Sequence, residues 1–260
     1  MTSSKRNTKS DKNSVRRYFL VDRNSPFALR EAYKSTRTNL LSILSVHEDL
    51  PKQICFTSPE SADGKTLNCS NIAQSFAEMG AKVLVIDADM RKPKLHRVFK
   101  VPVSPGLSDY LGNFCDIDKA IVAYKGVDGL YVMPSGKLPP NPTELILSSK
   151  FNHLLKLLEE KFDYVFIDAP PACIVTDAAI IAKKTLGAVI VCRSGVTRND
   201  MAKKAKTEIE QGGGKVLCAL LNGVDFAKSS NSVKGHKYRY YQDSYGDSPD
   251  DIELMNEEID

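Results

Sequence analysis

The sequence has no apolar run near the roughly 18 residues that a membrane-spanning helix requires. Its opening stretch, MTSSKRNTKSDKNSVRR, is charged with no apolar segment behind it, which excludes a secretory signal. None of the six cysteines (Cys55, Cys69, Cys115, Cys173, Cys192, Cys218) stands in a CxxC pair, and most lie in apolar stretches. Reduced, buried thiols are therefore expected rather than a disulfide framework. The four histidines, His47, His96, His153 and His236, lack metal-ligand spacing, so each reads as a packing or surface residue. The net charge of +4 argues neither for nor against nucleic acid.

What is present is unevenly placed. Lys5, Arg6, Lys9, Lys12, Arg16, Arg17 and Arg23 crowd the first 25 residues, while the last 18 hold eight acids and no Lys or Arg. Both ends are poor in aliphatics and are expected to lack fixed structure. The division expected is a basic arm over 1–25, a domain over 26–226 and a tail over 227–260. Four of the ten tyrosines, Tyr238, Tyr240, Tyr241 and Tyr245, fall within YRYYQDSYGD, where there is no core to bury them.

Between the ends, apolar runs alternate with amphipathic stretches. QICFTS (53–58), KVLVIDAD (82–89), the segment 129–136, YVFIDAPP, GAVIVCRSG and KVLCALLNGVD read as strands. Helices are expected from Ser25 as cap and Pro26 as first helical residue, and from Lys65 to the stop at Gly80. Others are expected around PKLHRVF, over PTELILSSKFNHLLKLLEEKF with Asn141 or Thr143 as cap, over TDAAIIAKKT, and over RNDMAKKAKTEIEQGGG. Residues 101–126 read as looser. The alternation implies an α/β fold of three layers, a mainly parallel sheet flanked by helices. Ligands in such folds bind beyond the carboxyl ends of the strands.

Three segments at those ends carry the chemistry. TSPESADGKT places Gly64-Lys65-Thr66 between a strand and a helix, as in a phosphate loop whose leading glycine is here Pro59. Amides of residues 61–66 could wrap phosphate oxygens at the helix start. Lys65 would reach the terminal phosphates, and the Thr66 hydroxyl would bind Mg²⁺. VIDADMRKP puts Asp87 and Asp89 two residues apart, on one side if the strand persists; two such carboxylates call for a cation between them. Arg91 and Lys92 follow and could steer phosphate or an acidic segment. YVFIDAPP ends in Asp168, at the position of a second metal-site acid. Together these residues make a consistent site for ATP and Mg²⁺.

TSPESADGKT, VLVIDADMRKP and FDYVFIDAPP, in this order, resemble the three nucleotide-binding motifs of the bacterial tyrosine kinases of capsule and exopolysaccharide assembly. The closing YRYYQDSYG resembles their tyrosine cluster. The resemblance implies a protein-tyrosine kinase with Lys65, Asp87, Asp89 and Asp168 in catalysis, and with Ala62, Asp63, Gly64, Lys65 and Thr66 around the nucleotide. Thr66, Asp87, Asp89 and Asp168 would form the metal shell. Asn222 is placed at the adenine by resemblance to related nucleotide-binding folds. Tyr238, Tyr240, Tyr241 and Tyr245 would be the phosphorylated residues. Glu31, Lys34 and Arg37 resemble the E-x-x-R-x-x-R subunit contact, implying a ring-like homo-oligomer. Lys34 stands in for an arginine there and cannot make the same bidentate contact. The family further implies a separate transmembrane adaptor of the polysaccharide co-polymerase type and a phosphotyrosine phosphatase. It implies a cytoplasmic protein recruited to the inner face of the plasma membrane, with no nucleic-acid partner.

Ala62 stands where the family has a glycine. Alanine resists positive φ, so a somewhat different loop path is expected. Two rivals share parts of this pattern. Partition and septum-positioning ATPases have the same acidic motifs but carry a lysine early in the loop, where this chain reads Pro59-Glu60-Ser61. A nucleotide-dependent scaffold of the polysaccharide machinery would bind without useful catalysis.

Overall fold

In the computed structural model, residues 20–46 and 52–224 are described. The expected arm and tail, including all four clustered tyrosines, lie almost wholly outside the described residues. In chain order the elements are α1 (Phe27–Ser45), β1 (Gln53–Thr57), α2 (Lys65–Ala77), β2 (Val83–Asp87), α3 (Leu95–Phe99), α4 (Leu107–Leu111), α5 (Ile117–Ala120), β3 (Val122–Ala123), β4 (Leu130–Met133), α6 (Pro142–Leu147), α7 (Ser149–Lys161), β5 (Tyr164–Asp168), α8 (Asp177–Lys184), β6 (Gly187–Arg193), α9 (Asn199–Gln211) and β7 (Val216–Asn222).

The strands form one sheet in the order β3-β4-β2-β5-β1-β6-β7. All neighbours pair parallel except the short edge pair β3 and β4. The apolar runs have no polar alternation because both faces of the sheet are covered. Ile54 and Phe56 of β1 point to one side, against Leu40 and Leu44 of α1 and Cys69, Ile72 and Phe76 of α2. Cys55, between them, points to the other side, against α7, α8 and α9 residues such as Leu154, Ile181 and Ile209. Helix, sheet and helix thus form the three layers expected, and all six cysteines are free thiols.

Several boundaries move. Pro26 is the N-cap of α1 rather than its first residue; the Ser25 hydroxyl instead bonds within the preceding turn, to Asp22. The long helix expected after Pro142 is two helices. Ser148 breaks them with an extended backbone, and its Oγ accepts the Phe151 amide at 3.2 Å as cap of α7. Neither Asn141 nor Thr143 caps by its side chain; Asn141 is the N-cap position without such a bond. The looser region 101–126 holds α4, α5 and β3.

Polar contacts supplement the apolar packing of α1 on α2. Arg37 Nη1 donates to the Ser75 carbonyl at 2.5 Å, and Tyr33 and Asn71 bond at 3.4 Å. Burial raises the Tyr33 phenol to about 12.

Candidate active site

The connection from β1 to β2 runs one way along the sheet and that from β5 to β6 the other. β1, β5 and β2 therefore present their carboxyl ends side by side. Parallel register places Asp87 directly opposite Asp168, and Phe56 next to Asp168 on the other side. A parallel sheet needs this alignment for its hydrogen bonds, and it delivers two strand-end acids to the start of α2.

The loop after β1 turns back on itself before α2. Ala62 has φ 76° and Gly64 φ 91°, both left-handed. The backbone takes the left-handed turn at Ala62 despite its Cβ. The left-handed φ at Gly64 suits glycine, since any Cβ there is strained, and a Cβ would also displace the Asn222 amide, which lies 2.1 Å from its ideal position. Gly64 is also the N-cap of α2, and no side chain caps this end. The first amides of α2 thus lack a side-chain acceptor, which suits an anion at the positive end of the helix.

Lys65 is buried and lies between two carboxylates. Its Nζ is 3.0 Å from Asp89 Oδ2 and 3.2 Å from Asp168 Oδ1. Thr66 Oγ1 donates to the other Asp168 oxygen at 2.7 Å. Asp87 is fully buried, and its Oδ2 accepts the amides of Lys94 and Leu95, each at 3.0 Å. β2 ends at Asp87, so Asp89 is not carried on its side by strand alternation. Asp89 is placed by a turn in which its amide donates to Asp87 Oδ1 and its own Oδ1 accepts the Lys92 amide.

One buried ammonium faces three buried carboxylates. Desolvation pushes the Asp87 carboxyl up to about 8; Asp168 nearby reinforces this, while Lys65 and the Leu95 amide oppose it. Desolvation likewise raises Asp168 against the pull of Lys65 and Thr66. Burial works against the charge on Lys65, but Asp168, Asp89 and Asp87 outweigh it, and its ammonium is held above the usual range. A group that accepts a proton near neutral pH therefore sits beside a fixed cation.

The donor set fits a magnesium nucleotide. Hydroxyl and carboxylate oxygens of Thr66, Asp87, Asp89 and Asp168 are the ligand type a small divalent cation takes. Among the described residues, no three His, Cys, Asp or Glu side chains form a ready metal cage.

The structure brings Lys65, Thr66, Asp87, Asp89 and Asp168 together, with Ala62, Asp63 and Gly64 in the adjoining loop. Asn222 reaches the same loop, donating Nδ2 to the Asp63 carbonyl at 3.0 Å. Glu31, Lys34 and Arg37 lie apart on α1. Glu31 and Lys34 pair with each other at 2.6 Å, both well exposed.

Sequence reasoning missed Asp177 and Thr143. Arg91, read as free to steer anions, binds Asp177 Oδ2 through Nε at 3.2 Å and Thr143 through Nη2 at 2.9 Å. Thr143 Oγ1 donates to Asp177 at 2.6 Å. This ties the loop bearing Asp89 to the first turns of α6 and α8. The signal available was Asp177 at the start of a helix, which reads as routine capping. Thr197, which bonds to Asp63 at 2.9 Å, carried no signal at all.

A family model described as an AAA domain matches residues 51–196. The chain is 38% identical over 196 residues to the tyrosine-protein kinase CpsD of Streptococcus agalactiae, covering 75% of this chain and 83% of that protein. The kinase domain of the Escherichia coli tyrosine kinase ETK superposes with a TM-score of 0.71 at 32% identity, covering 75% of each chain. The chimerical protein CapA2B2 gives a TM-score of 0.71 at 35% identity, over 78% of this chain and 87% of that one. The septum site-determining protein MinD of Pyrococcus horikoshii, complexed with Mg-ADP, shares the fold alone. Its TM-score is 0.55 at 24% identity, over 65% of this chain and 69% of that one.

Proposed function

This chain belongs to the bacterial tyrosine kinases, and on that premise we propose that it moves the γ-phosphoryl group of ATP to tyrosines of its own C-terminal cluster. The observation that carries this reading is the grouping of Lys65, Thr66, Asp87, Asp89 and Asp168 at the uncapped start of α2. Phosphoryl transfer asks for positioning and charge neutralisation more than for covalent help. The loop amides and α2 start hold the phosphates, and Lys65 leaves Asp89 and Asp168 to neutralise the terminal ones. Thr66, Asp89 and Asp168 would hold a magnesium ion, which when bound would supply further neutralisation of phosphate charge. Asp87 takes the proton of the incoming phenol. Burial raises its carboxyl to about 8, so its deprotonated form is a stronger acceptor than an ordinary aspartate and is the minor form below that pH; the transfer is expected to speed up as pH rises toward 8. The ordinary phenol, near 10, remains above it, so the transfer accompanies O–P bond formation rather than preceding it.

Tyr238, Tyr240, Tyr241 and Tyr245 are the acceptors in this reading, presented by one copy to the next in a ring-like homo-oligomer. Each phosphate adds about −1.5 to −2 charges, so a heavily modified tail repels the site acids and favours release. A membrane-anchored adaptor recruits the chain to the inner face of the plasma membrane, and a phosphotyrosine phosphatase resets it. The activity serves capsular or exopolysaccharide synthesis.

The test is incubation with γ-labelled ATP and Mg²⁺, with and without an adaptor's cytoplasmic peptide, followed by mapping of the label. Label is expected on Tyr238 to Tyr245 and lost in Asp87→Ala. Free phosphate with no protein label would instead mark an ATPase, and equal tyrosine label in Asp87→Ala would remove Asp87 from the reaction.

A further inference from the structure

Ala62 poses a physical question. A left-handed alanine is strained relative to ordinary backbone, and such a residue persists only when its surroundings over-determine it. The next residue shows what does so. Asp63 is 3% exposed although it sits in a polar loop. Its Oδ2 accepts the Glu60 amide at 3.1 Å, closing the turn on itself. Its Oδ1 accepts the Thr197 hydroxyl at 2.9 Å, and its carbonyl accepts Asn222 Nδ2 at 3.0 Å.

Those two partners stand on the ends of two other strands. Asn222 is the last residue of β7, and Thr197 closes the turn after β6. That turn is itself braced. The Thr197 amide donates to the Arg193 carbonyl at 2.8 Å, and the Ser194 amide to the Asn222 carbonyl at 2.8 Å. The Arg193 amide donates to Thr197 Oγ1 at 2.7 Å. Because that oxygen already accepts from Arg193, its own hydrogen is left to point at Asp63. The hydroxyl is thus oriented before it meets the carboxylate.

We propose that Asp63, Thr197 and Asn222 form a clamp that holds the phosphate loop in its left-handed turn at Ala62, with Thr197 and Asn222 as positioning residues for nucleotide phosphates. The clamp does from outside the loop what a glycine at 62 does from within. Without the clamp, Ala62 relaxes toward negative φ, and the amides of residues 61–66 no longer converge. The inference rests on the nucleotide-binding reading of the site and not on the identity of the phosphoryl acceptor.

The experiment is titration of the full chain with a fluorescent N-methylanthraniloyl-ADP, free of any adaptor. Thr197→Val keeps the shape and removes the hydroxyl, and is expected to weaken binding about tenfold, the scale of a lost hydrogen bond to a charged group. Thr197→Ser is expected to stay within about twofold of wild type, since its hydroxyl can serve both partners. Ala62→Gly relieves the need for the clamp, so Ala62→Gly/Thr197→Val is expected to bind within about threefold of Ala62→Gly alone, a coupling that additive effects do not produce. In tyrosine labelling, Thr197→Val is expected to raise the KM for ATP and leave kcat nearly unchanged. Asp63→Asn, which leaves Thr197 intact, is the second variant should Thr197→Val fold poorly, and it is expected to weaken binding in the same direction. Wild-type affinity in both Thr197→Val and Asp63→Asn overturns the clamp, as does an undiminished loss in the Ala62→Gly background. A wild-type chain that binds no nucleotide analogue overturns the underlying reading and the clamp with it, so the two failures are distinguishable.

Discussion

Lys65 holds its place because Asp89 and Asp168 reach it from the ends of different segments, at 3.0 and 3.2 Å. Removing one member of a buried charge cluster leaves the others uncompensated. Lys65→Met is therefore expected to lower stability by about 3–5 kcal/mol and to abolish nucleotide binding. The loss is expected to be larger at pH 8 than at pH 5.5, where the stranded acids can take up protons; urea midpoints at the two pH values check this. Asp87 behaves in the opposite sense. Its carboxyl is raised to about 8 in the folded chain and is an ordinary carboxyl when unfolded. Between about pH 4 and pH 8 the folded state thus binds the extra proton, and the contribution of Asp87 to stability falls as pH rises. Asp87→Asn is expected to remove that slope and to melt about 2–4 °C higher than wild type at pH 8, while losing phosphotyrosine formation. Calorimetric scans across this pH range, showing an unchanged slope in Asp87→Asn, would assign the buried proton to another group.

At the scale of elements, the site depends on where helices begin and strands end. α2 begins at an uncapped glycine beside the phosphate loop, whereas α7 begins at Ser148 with its hydroxyl on the Phe151 amide. The first helix start is left open for a ligand; the second is closed and structural. Ser148→Ala is expected to cost about 1 kcal/mol by loss of the cap, read as a lower urea midpoint, with nucleotide affinity unchanged. The break at Ser148 also lets α6 leave the axis of α7 and bring Thr143 to Asp177 and Arg91. An unbroken helix over 142–161 would carry Thr143 away in line with the rest.

For the whole molecule, the sheet is covered on both faces, and α1, in the covering layer, has only Leu40 and Leu44 fully inside. Glu31 and Lys34 pair on its exposed side, where an ion pair contributes little to folding. Glu31→Ala is thus expected to change stability by less than about 0.5 kcal/mol while shifting assembly to smaller species in light scattering. An unchanged size distribution would take Glu31 out of any subunit contact. Arg37 differs, because its guanidinium already ties α1 to α2 through the Ser75 carbonyl. Its truncation is expected to loosen the helix as well as the assembly.

The alternation of apolar runs and amphipathic segments was enough to read the three layers, because a strand buried on both faces has no polar positions to confuse it. The runs ending in Asp87 and Asp168, and Gly64-Lys65-Thr66 between strand and helix, were enough to pick out residues that the fold brings together, because strand ends carry ligands in such sheets. Local pattern could not show the break at Ser148, since both halves have helical periodicity and only packing separates them. Nor could it show that Ala62 turns left-handed. That conformation depends on Asp63 meeting Thr197 and Asn222, which are 134 and 159 residues further along the chain. The charge of each acid is written in the sequence. Its proton affinity is not, because burial and the distance to Lys65 arise only when β1, β5 and β2 lie side by side.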